Sequence, residues 1–191
     1  MARIVFLTGY MACGKTTLGT ALAGSAGVEF FDLDKAVEAE AGCPISEIFS
    51  RHGEKEFRLM ESDTLKRLVN TARAAAGTVI IGCGGGTPCH GSNMDLMLKE
   101  GTVVWLRASR ERTIARLLEA AADGRRPLMS GLDAQGIAAR HDADMTARSP
   151  HYSRAHAVFD SSHLDTADEI NESVKAFTVK FLKYPENRTH D

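Results

Sequence analysis

A chain of 191 residues, 43% of them hydrophobic and 25% charged, is long enough to bury a core within the usual size of one domain. Its formal charge of −2 gives no electrostatic reason to expect nucleic acid or an anionic membrane as partner. No stretch approaches the ~20 apolar residues needed to span a bilayer, and no apolar segment leads from the N-terminus to a cleavage site, so the sequence predicts a cytoplasmic protein.

Ile4-Val5-Phe6-Leu7 predicts a short buried strand. It runs into Gly9-Tyr10-Met11-Ala12-Cys13-Gly14-Lys15-Thr16, which fits G-x-x-x-x-G-K-[ST], a loop that wraps a nucleotide's phosphates. Gly9 and Gly14 let the backbone turn so that successive amide N–H groups face an anion. Lys15 supplies positive charge for the β- and γ-phosphates, and the Thr16 hydroxyl can ligate Mg²⁺. A helix from Thr16, Ala- and Leu-rich through Ala26, would aim its N-terminal dipole at the same anion. The nucleotide-binding set is therefore Ala12, Cys13, Gly14, Lys15, Thr16 and Thr17, with a nucleotide and Mg²⁺ as the implied ligands.

The thiol of Cys13 sits inside this loop and is a candidate oxidation liability. Cys43, Cys83 and Cys89 complete the cysteines and match neither a paired zinc pattern nor a disulfide framework. They read as free thiols, buried or half-buried.

Val28 to Phe31 predicts a second strand. Lys35–Ala41 and Ile45–Arg51 predict short helices broken by Gly42 and Pro44. Glu54–Arg73 predicts a longer helix with Phe57, Met60, Thr64, Leu65 and Leu68 on one face. Thr78–Ile81 is the third strand, ending in the run Gly82–Gly86. Ser92 with Asp95 resembles a capping box for a helix ending near Glu100. Thr102–Leu106 is the fourth strand and Arg110–Ala122 the helix after it. Residues 123–131 are polar, hold Arg125, Arg126 and Pro127 between glycines, and suit a mobile lid. Leu132–Ala147 resumes as helix and Val158-Phe159 begins the last strand. Thr166 and Glu169 form a second capping box before a helix with Ile170, Val174, Phe177 and Phe181 as its stripe. The polar tail from Tyr184 is expected to fray.

Five strands separated by helices imply an α/β fold with a parallel sheet covered on both faces, three layers in all. Ligands then bind beyond the carboxyl ends of the strands. The residues with chemistry stand there: the phosphate loop, then Asp32 and Asp34, then the glycine run.

Taken in order, Phe31-Asp32-Leu33-Asp34, Ile48-Phe49, Gly53 to Arg58, Gly84-Gly85-Gly86, Arg126-Pro127-Leu128 and Arg148-Ser149-Pro150-His151-Tyr152 resemble shikimate kinase from about residue 3 to 160. The resemblance implies a fold like that of P-loop nucleoside monophosphate kinases, one kinase domain over 1–191 with substrate-binding helices at about 34–73 and a lid at about 123–131. It implies ATP-dependent phosphorylation of the 3-hydroxyl of shikimate, in chorismate and aromatic amino-acid biosynthesis, by a monomer. Lys15, Asp34 and Arg126 are its catalytic residues, and Asp34, Arg58, Gly85 and Arg148 its acceptor contacts. Thr16 and Asp32 attend the metal, and Arg116 faces adenine.

The residue chemistry agrees. A carboxylate suits the guanidinium forks of Arg58 and Arg148, a hydroxyl suits the acceptor Asp34, and Gly84–Gly86 lets a sugar-like ring approach the backbone. Arg126 in a closing lid can neutralise charge on the transferring phosphoryl group. Plainer readings stand beside these. Arg58 can pair with Glu54 or Glu61 on its own helix, Asp34 can cap a helix starting at Lys35, and Arg148 can anchor the Ser149-Pro150 turn. Arg112 and Arg116, one turn apart, can form a solvated face. Asp32 and Asp34 share a strand's period and are expected to face the same way.

Three departures from the family pattern are legible. Ala12 replaces a glycine, at about 1–2 kcal/mol if the backbone there has positive φ. Arg154 replaces an acid, which predicts a missing ion pair. No arginine lies in 161–165. Two rival functions are open at this point. A kinase of gluconate or a nucleoside monophosphate would leave Arg58 and Arg148 without a carboxylate to hold. A nucleotide-binding regulatory protein would have no need of an acceptor site.

Overall fold

A computed structural model describes residues 2–122 and 131–183. The predicted lid, with Arg125 and Arg126, and the tail from Tyr184 lie outside the described residues apart from Gly131.

Strands β1 (Arg3–Thr8), β2 (Glu29–Asp32), β3 (Thr78–Gly82), β4 (Thr102–Arg107) and β5 (Ala157–Asp160) form one five-stranded sheet in the order β2-β3-β1-β4-β5. Every neighbouring pair is parallel. Because side chains alternate along a strand, β1 feeds two cores. Ile4 and Phe6 pack with Val79, Ile81 and Val103 on one face. Val5 and Leu7 pack with Ile80, Val104 and Leu106 on the other. A central parallel strand has to be apolar on both sides, and each such residue contributes about 1.5–3 kcal/mol of burial.

The first face is covered by α2 (Leu33–Ala41), α3 (Ile45–Ala74) and α4 (Asn93–Glu100). The second is covered by α1 (Lys15–Ala26) and α7 (Ala167–Phe177), whose Val174 and Phe177, with Phe181 beyond the helix, make the predicted stripe. Helices α5 (Arg110–Ala122) and α6 (Ala134–Tyr152) supply Leu117 and Ile137 to a smaller cluster around Tyr10 of the phosphate loop. No described helix is long and apolar enough to cross a membrane.

Two local expectations hold in detail. Helix α3 is broken at Gly53, with φ 77 and ψ 173, as the separate helices predicted. The Thr166–Glu169 capping box is formed in both directions.

Others are corrected. Ser92 makes no side-chain cap bond because its backbone, at φ −100 and ψ 18, is not extended, and Asp95 turns instead to Arg154. That pair also answers the ion pair predicted to be missing at Arg154. Helix α6 runs five residues past the expected Ala147, to Tyr152, and carries Pro150 inside its last turn. Asp32 ends β2 and caps α2 by accepting from the Lys35 N–H, so Asp34 is neither a cap nor a strand residue. It lies in the first turn of α2, where a carboxylate is favoured by the helix dipole.

Candidate active site

The phosphate loop joins β1 to α1 at the carboxyl edge of the sheet. Gly14 precedes α1 with φ 93, and no side chain caps the helix, so its first-turn N–H groups are left open to an anion. Ala12 has φ 60 and is the one non-glycine residue with positive φ among the described residues. The condition for its strain is therefore met. Lys15 Nζ donates to the carbonyls of Gly9 and Tyr10, each at 2.8 Å, and so braces the loop from inside. Cys13 stays within the core cluster at 2% exposure. The oxidation liability proposed for its thiol is thus countered by burial, and Cys13 can offer a ligand only its backbone. Cys83 is buried, Cys43 and Cys89 are half-buried, and all are free, as expected.

At the foot of the loop Thr16 Oγ1 donates to Asp32 Oδ2 at 2.7 Å. A hydroxyl and a carboxylate meeting beside a phosphate site form the hard-oxygen corner that Mg²⁺ accepts. Among the described residues no group of three or more His, Cys, Asp or Glu is arranged to hold a metal. Mg²⁺ fits this setting because it is bound through few protein ligands together with phosphates and water.

A cavity of about 440 Å³ opens over these residues. Met11, Ala12, Gly14, Lys15, Thr16 and Thr17 form its floor, and Asp32, Asp34 and Gly85 form one end. Arg116, Leu164 and Asp165 form the other. Arg116 is more than a surface residue. Its guanidinium donates to Asp165 Oδ1 at 2.6 Å and to the carbonyls of Ser161 and Ser162 at 3.1 and 3.0 Å. Arg112 joins the same Asp165 carboxylate at 3.3 Å. Residues 161–165 thus carry no arginine of their own but are held by one from α5.

At the Asp34 end, Gly84–Gly86 turns beside the phosphate loop. A Cβ on Gly85 would stand 3.4 Å from the Met11 nitrogen. That is ordinary van der Waals contact, so the turn lies directly against the loop. A Cβ on Gly84 would lie 2.7 Å from both Asp34 Oδ1 and Glu61 Oε1, and one on Gly86 would lie 2.7 Å from Arg58 Nη2. At Gly84 and Gly86 a Cβ would therefore displace charged groups that already crowd the turn.

Arg58 is 18% exposed and pairs with Glu54 at 3.1 Å and with Glu61 at 3.0 Å. The plain reading of Arg58 is therefore seen, and its own helix holds it where it meets the turn. Glu61, fully buried, also accepts from Thr87 Oγ1 at 2.6 Å, which leaves neither carboxylate oxygen unsatisfied. Arg148 comes from α6. Its Nη1 lies 3.5 Å from the point of a Gly85 Cβ, and its Nη2 donates to Asp144 at 3.1 Å. It sits within a helix and does not anchor a turn, which overturns the plainer reading. The Tyr152 hydroxyl donates to the Gly85 carbonyl at 2.5 Å and fixes the turn from below. Burial pushes that phenol's pKa up, and the hydroxyl of Tyr10 likewise, so both remain donors.

The structure brings Lys15, Thr16, Asp32, Asp34 and Gly85 to one cavity, with Arg58 and Arg148 against the glycine turn at its end. Arg126 lies outside the described residues. Sequence reasoning missed Tyr10, Asp144, Asp165 and Tyr152, and took Glu61 only as a surface partner of Arg58. The spacing of Asp144 one turn before Arg148 was a usable signal. The burial of Glu61 had none.

Comparison with known proteins identifies the family. Residues 11–178 match the family model described as shikimate kinase. A curated shikimate kinase of Parabacteroides distasonis is 36% identical over 168 residues, 88% of this chain and 93% of that protein. The crystal structure of shikimate kinase from Bacteroides thetaiotaomicron is similar at a TM-score of 0.86 and 31% identity, covering 93% of this chain and 97% of that one. Shikimate kinase from Acinetobacter baumannii in complex with shikimate is similar at a TM-score of 0.76 and 26% identity, over 96% and 97% of the two chains.

Proposed function

The chain belongs to the shikimate kinase family, and we infer that it transfers the γ-phosphoryl group of ATP to the 3-hydroxyl of shikimate, giving shikimate 3-phosphate and ADP. The observation that carries this is the convergence of Asp34, Glu61 and Arg58 on a side-chain-free turn that abuts the phosphate loop. Such a pocket can hold a ring bearing hydroxyls and a carboxylate within reach of a terminal phosphate.

In this reading Lys15 leaves the Gly9 and Tyr10 carbonyls for the β- and γ-phosphates, while the α1 N-terminus and the loop N–H groups hold the phosphate chain. Arg58 and Arg148 take the acceptor's carboxylate through charge-assisted bonds. Asp34 orients the 3-hydroxyl and accepts its proton as the new O–P bond forms and the bond to the β-phosphate oxygen breaks. Thr16 and Asp32 would hold Mg²⁺, which supplies charge neutralisation on the phosphates when bound. Arg126 from a lid at 123–131 adds positive charge and excludes water. Arg116 lines the far end, where its guanidinium face suits adenine. Ala12, Cys13, Gly14 and Thr17 contact the nucleotide through the loop and first helical turn.

The whole chain would act as one kinase unit, a cytoplasmic monomer serving chorismate and aromatic amino-acid biosynthesis. The test is ADP release with Mg-ATP, with and without shikimate, in the wild type and in Asp34→Asn and Arg58→Ala. Shikimate-dependent release that collapses in both variants is expected. Shikimate-independent or absent release, from folded protein that binds ATP, would refute the reading.

A further inference from the structure

Asp144 occupies a position that the mechanism above does not use. It lies on α6 one turn before Arg148 and one turn after Arg140, with 13% of its side chain exposed. Its Oδ1 accepts from Arg148 Nη2 at 3.1 Å. Its Oδ2 accepts from the Tyr10 hydroxyl at 2.9 Å and from Arg140 Nε at 3.1 Å. Tyr10 is a phosphate-loop residue, 3% exposed, and its carbonyl is one of the two that Lys15 grips. The Tyr10 ring also lies under the Arg148 guanidinium, at 5.5 Å from ring centroid to Cζ, and is wedged edge-on against His141. One carboxylate therefore joins the arginine at the glycine turn to the loop at the phosphate site.

We propose that Asp144 is a positioning residue that fixes the orientation of Arg148 toward the acceptor and, through Tyr10, couples acceptor binding to the state of the phosphate loop. The inference rests on the reading that Arg148 receives the acceptor's carboxylate. The physical logic has two parts. A half-buried guanidinium with no partner is costly and free to choose rotamers, whereas a fixed carboxylate leaves its remaining N–H groups aimed in one direction. A loop that moves when Lys15 turns to phosphate carries Tyr10 with it. The Tyr10–Asp144 bond passes that movement to Arg148, and by linkage the coupling is equal in both directions.

Calorimetry of the full chain with shikimate, alone and with a non-hydrolysable ATP analogue, tests the proposal. In the wild type the analogue should tighten shikimate binding about fivefold or more. Asp144→Asn, which keeps shape but loses charge, should weaken shikimate binding about tenfold in either condition, and Asp144→Glu should restore most of it. Tyr10→Phe should leave the analogue-free affinity within about twofold and remove most of the analogue's gain.

A purely structural Asp144 would lower the melting temperature of Asp144→Asn without changing the shikimate affinity of the folded protein. That result, with Tyr10→Phe behaving as wild type, overturns the proposal. Weakened binding in Asp144→Asn with an unchanged gain in Tyr10→Phe keeps the positioning role and overturns the coupling. If Asp144→Asn does not fold, Tyr10→Phe alone decides the coupling. Arg148→Ala separates the levels: unchanged shikimate affinity there refutes the carboxylate reading itself, whereas impaired Arg148→Ala with unaffected Asp144→Asn and Tyr10→Phe refutes only this inference.

Discussion

The two ends of the site are built from different materials. The nucleotide end is mostly backbone: a loop held open by positive φ at Gly9, Ala12 and Gly14, an uncapped helix N-terminus, and one lysine folded onto two carbonyls. The acceptor end is mostly side chain. Arg58 and Arg148 are each held by carboxylates from their own helices, and a turn without Cβ atoms lets those groups close in. A backbone site takes its shape from a few dihedrals and tolerates change at most side chains around it. A site of ion pairs is only as accurate as the helices that carry them, so it depends on partners from α3 and α6.

This contrast can be broken most directly at Lys15. Lys15→Ala should lower kcat by about a hundredfold or more, the scale seen when a preorganised charge at a transition state is removed, while shikimate binding is retained. Steady-state kinetics beside calorimetry would check both. Next in size, Arg58→Ala or Arg148→Ala should raise the KM for shikimate about tenfold to a hundredfold, with the KM for ATP within about threefold. Equal losses for both substrates would show that the two ends are not separable.

Gly86→Ala sharpens the point without deleting any charge. Its Cβ would meet Arg58 Nη2 at 2.7 Å and Cζ at 2.9 Å, so the guanidinium has to leave its present seat. A rise of about tenfold in the KM for shikimate is expected, from the lost charge-assisted bonds.

Two smaller effects concern stability. Thr166→Ala breaks the capping box of α7, next to Asp165 of the cavity and away from the glycine turn, and should lower stability by about 1 kcal/mol with the KM for shikimate unchanged. Ala12→Gly relieves strain of about 1–2 kcal/mol at φ 60 but frees the unfolded chain by about 0.4–1 kcal/mol. The net is a gain of between about 0 and 1.6 kcal/mol in stability by thermal unfolding, with ATP binding at least as tight. A loss of stability would mean that Ala12 is not strained in solution.

The same division explains what could be read from the chain. Strand and helix order, the broken α3, the phosphate loop and the α7 cap are local properties, set by short-range periodicity and by residues that fix nearby dihedrals. They were legible for that reason. Asp34 and Arg58 could be named from their residue types, but the place of Asp34 was misread. Residues 32–34 alternate like a strand, and only the Asp32 cap on the Lys35 N–H shows that the helix has already begun. Ser92 misled in the opposite direction, since the residue types of a capping box do not form one when the backbone is not extended.

By itself, then, the sequence determined which chemistries this protein can perform, because a phosphate loop, an acid, two arginines and a glycine run each have a function at short range. Tertiary structure alone decided which of them meet. Parallel pairing of β2, β3 and β1 brings the loop, Asp32 and the glycine turn to one edge. Packing on that edge buries Glu61 and sets Asp144 between Tyr10 and Arg148. Residues far apart in the chain share no periodicity, and burial of a charge follows from what lands on it, so neither is written locally.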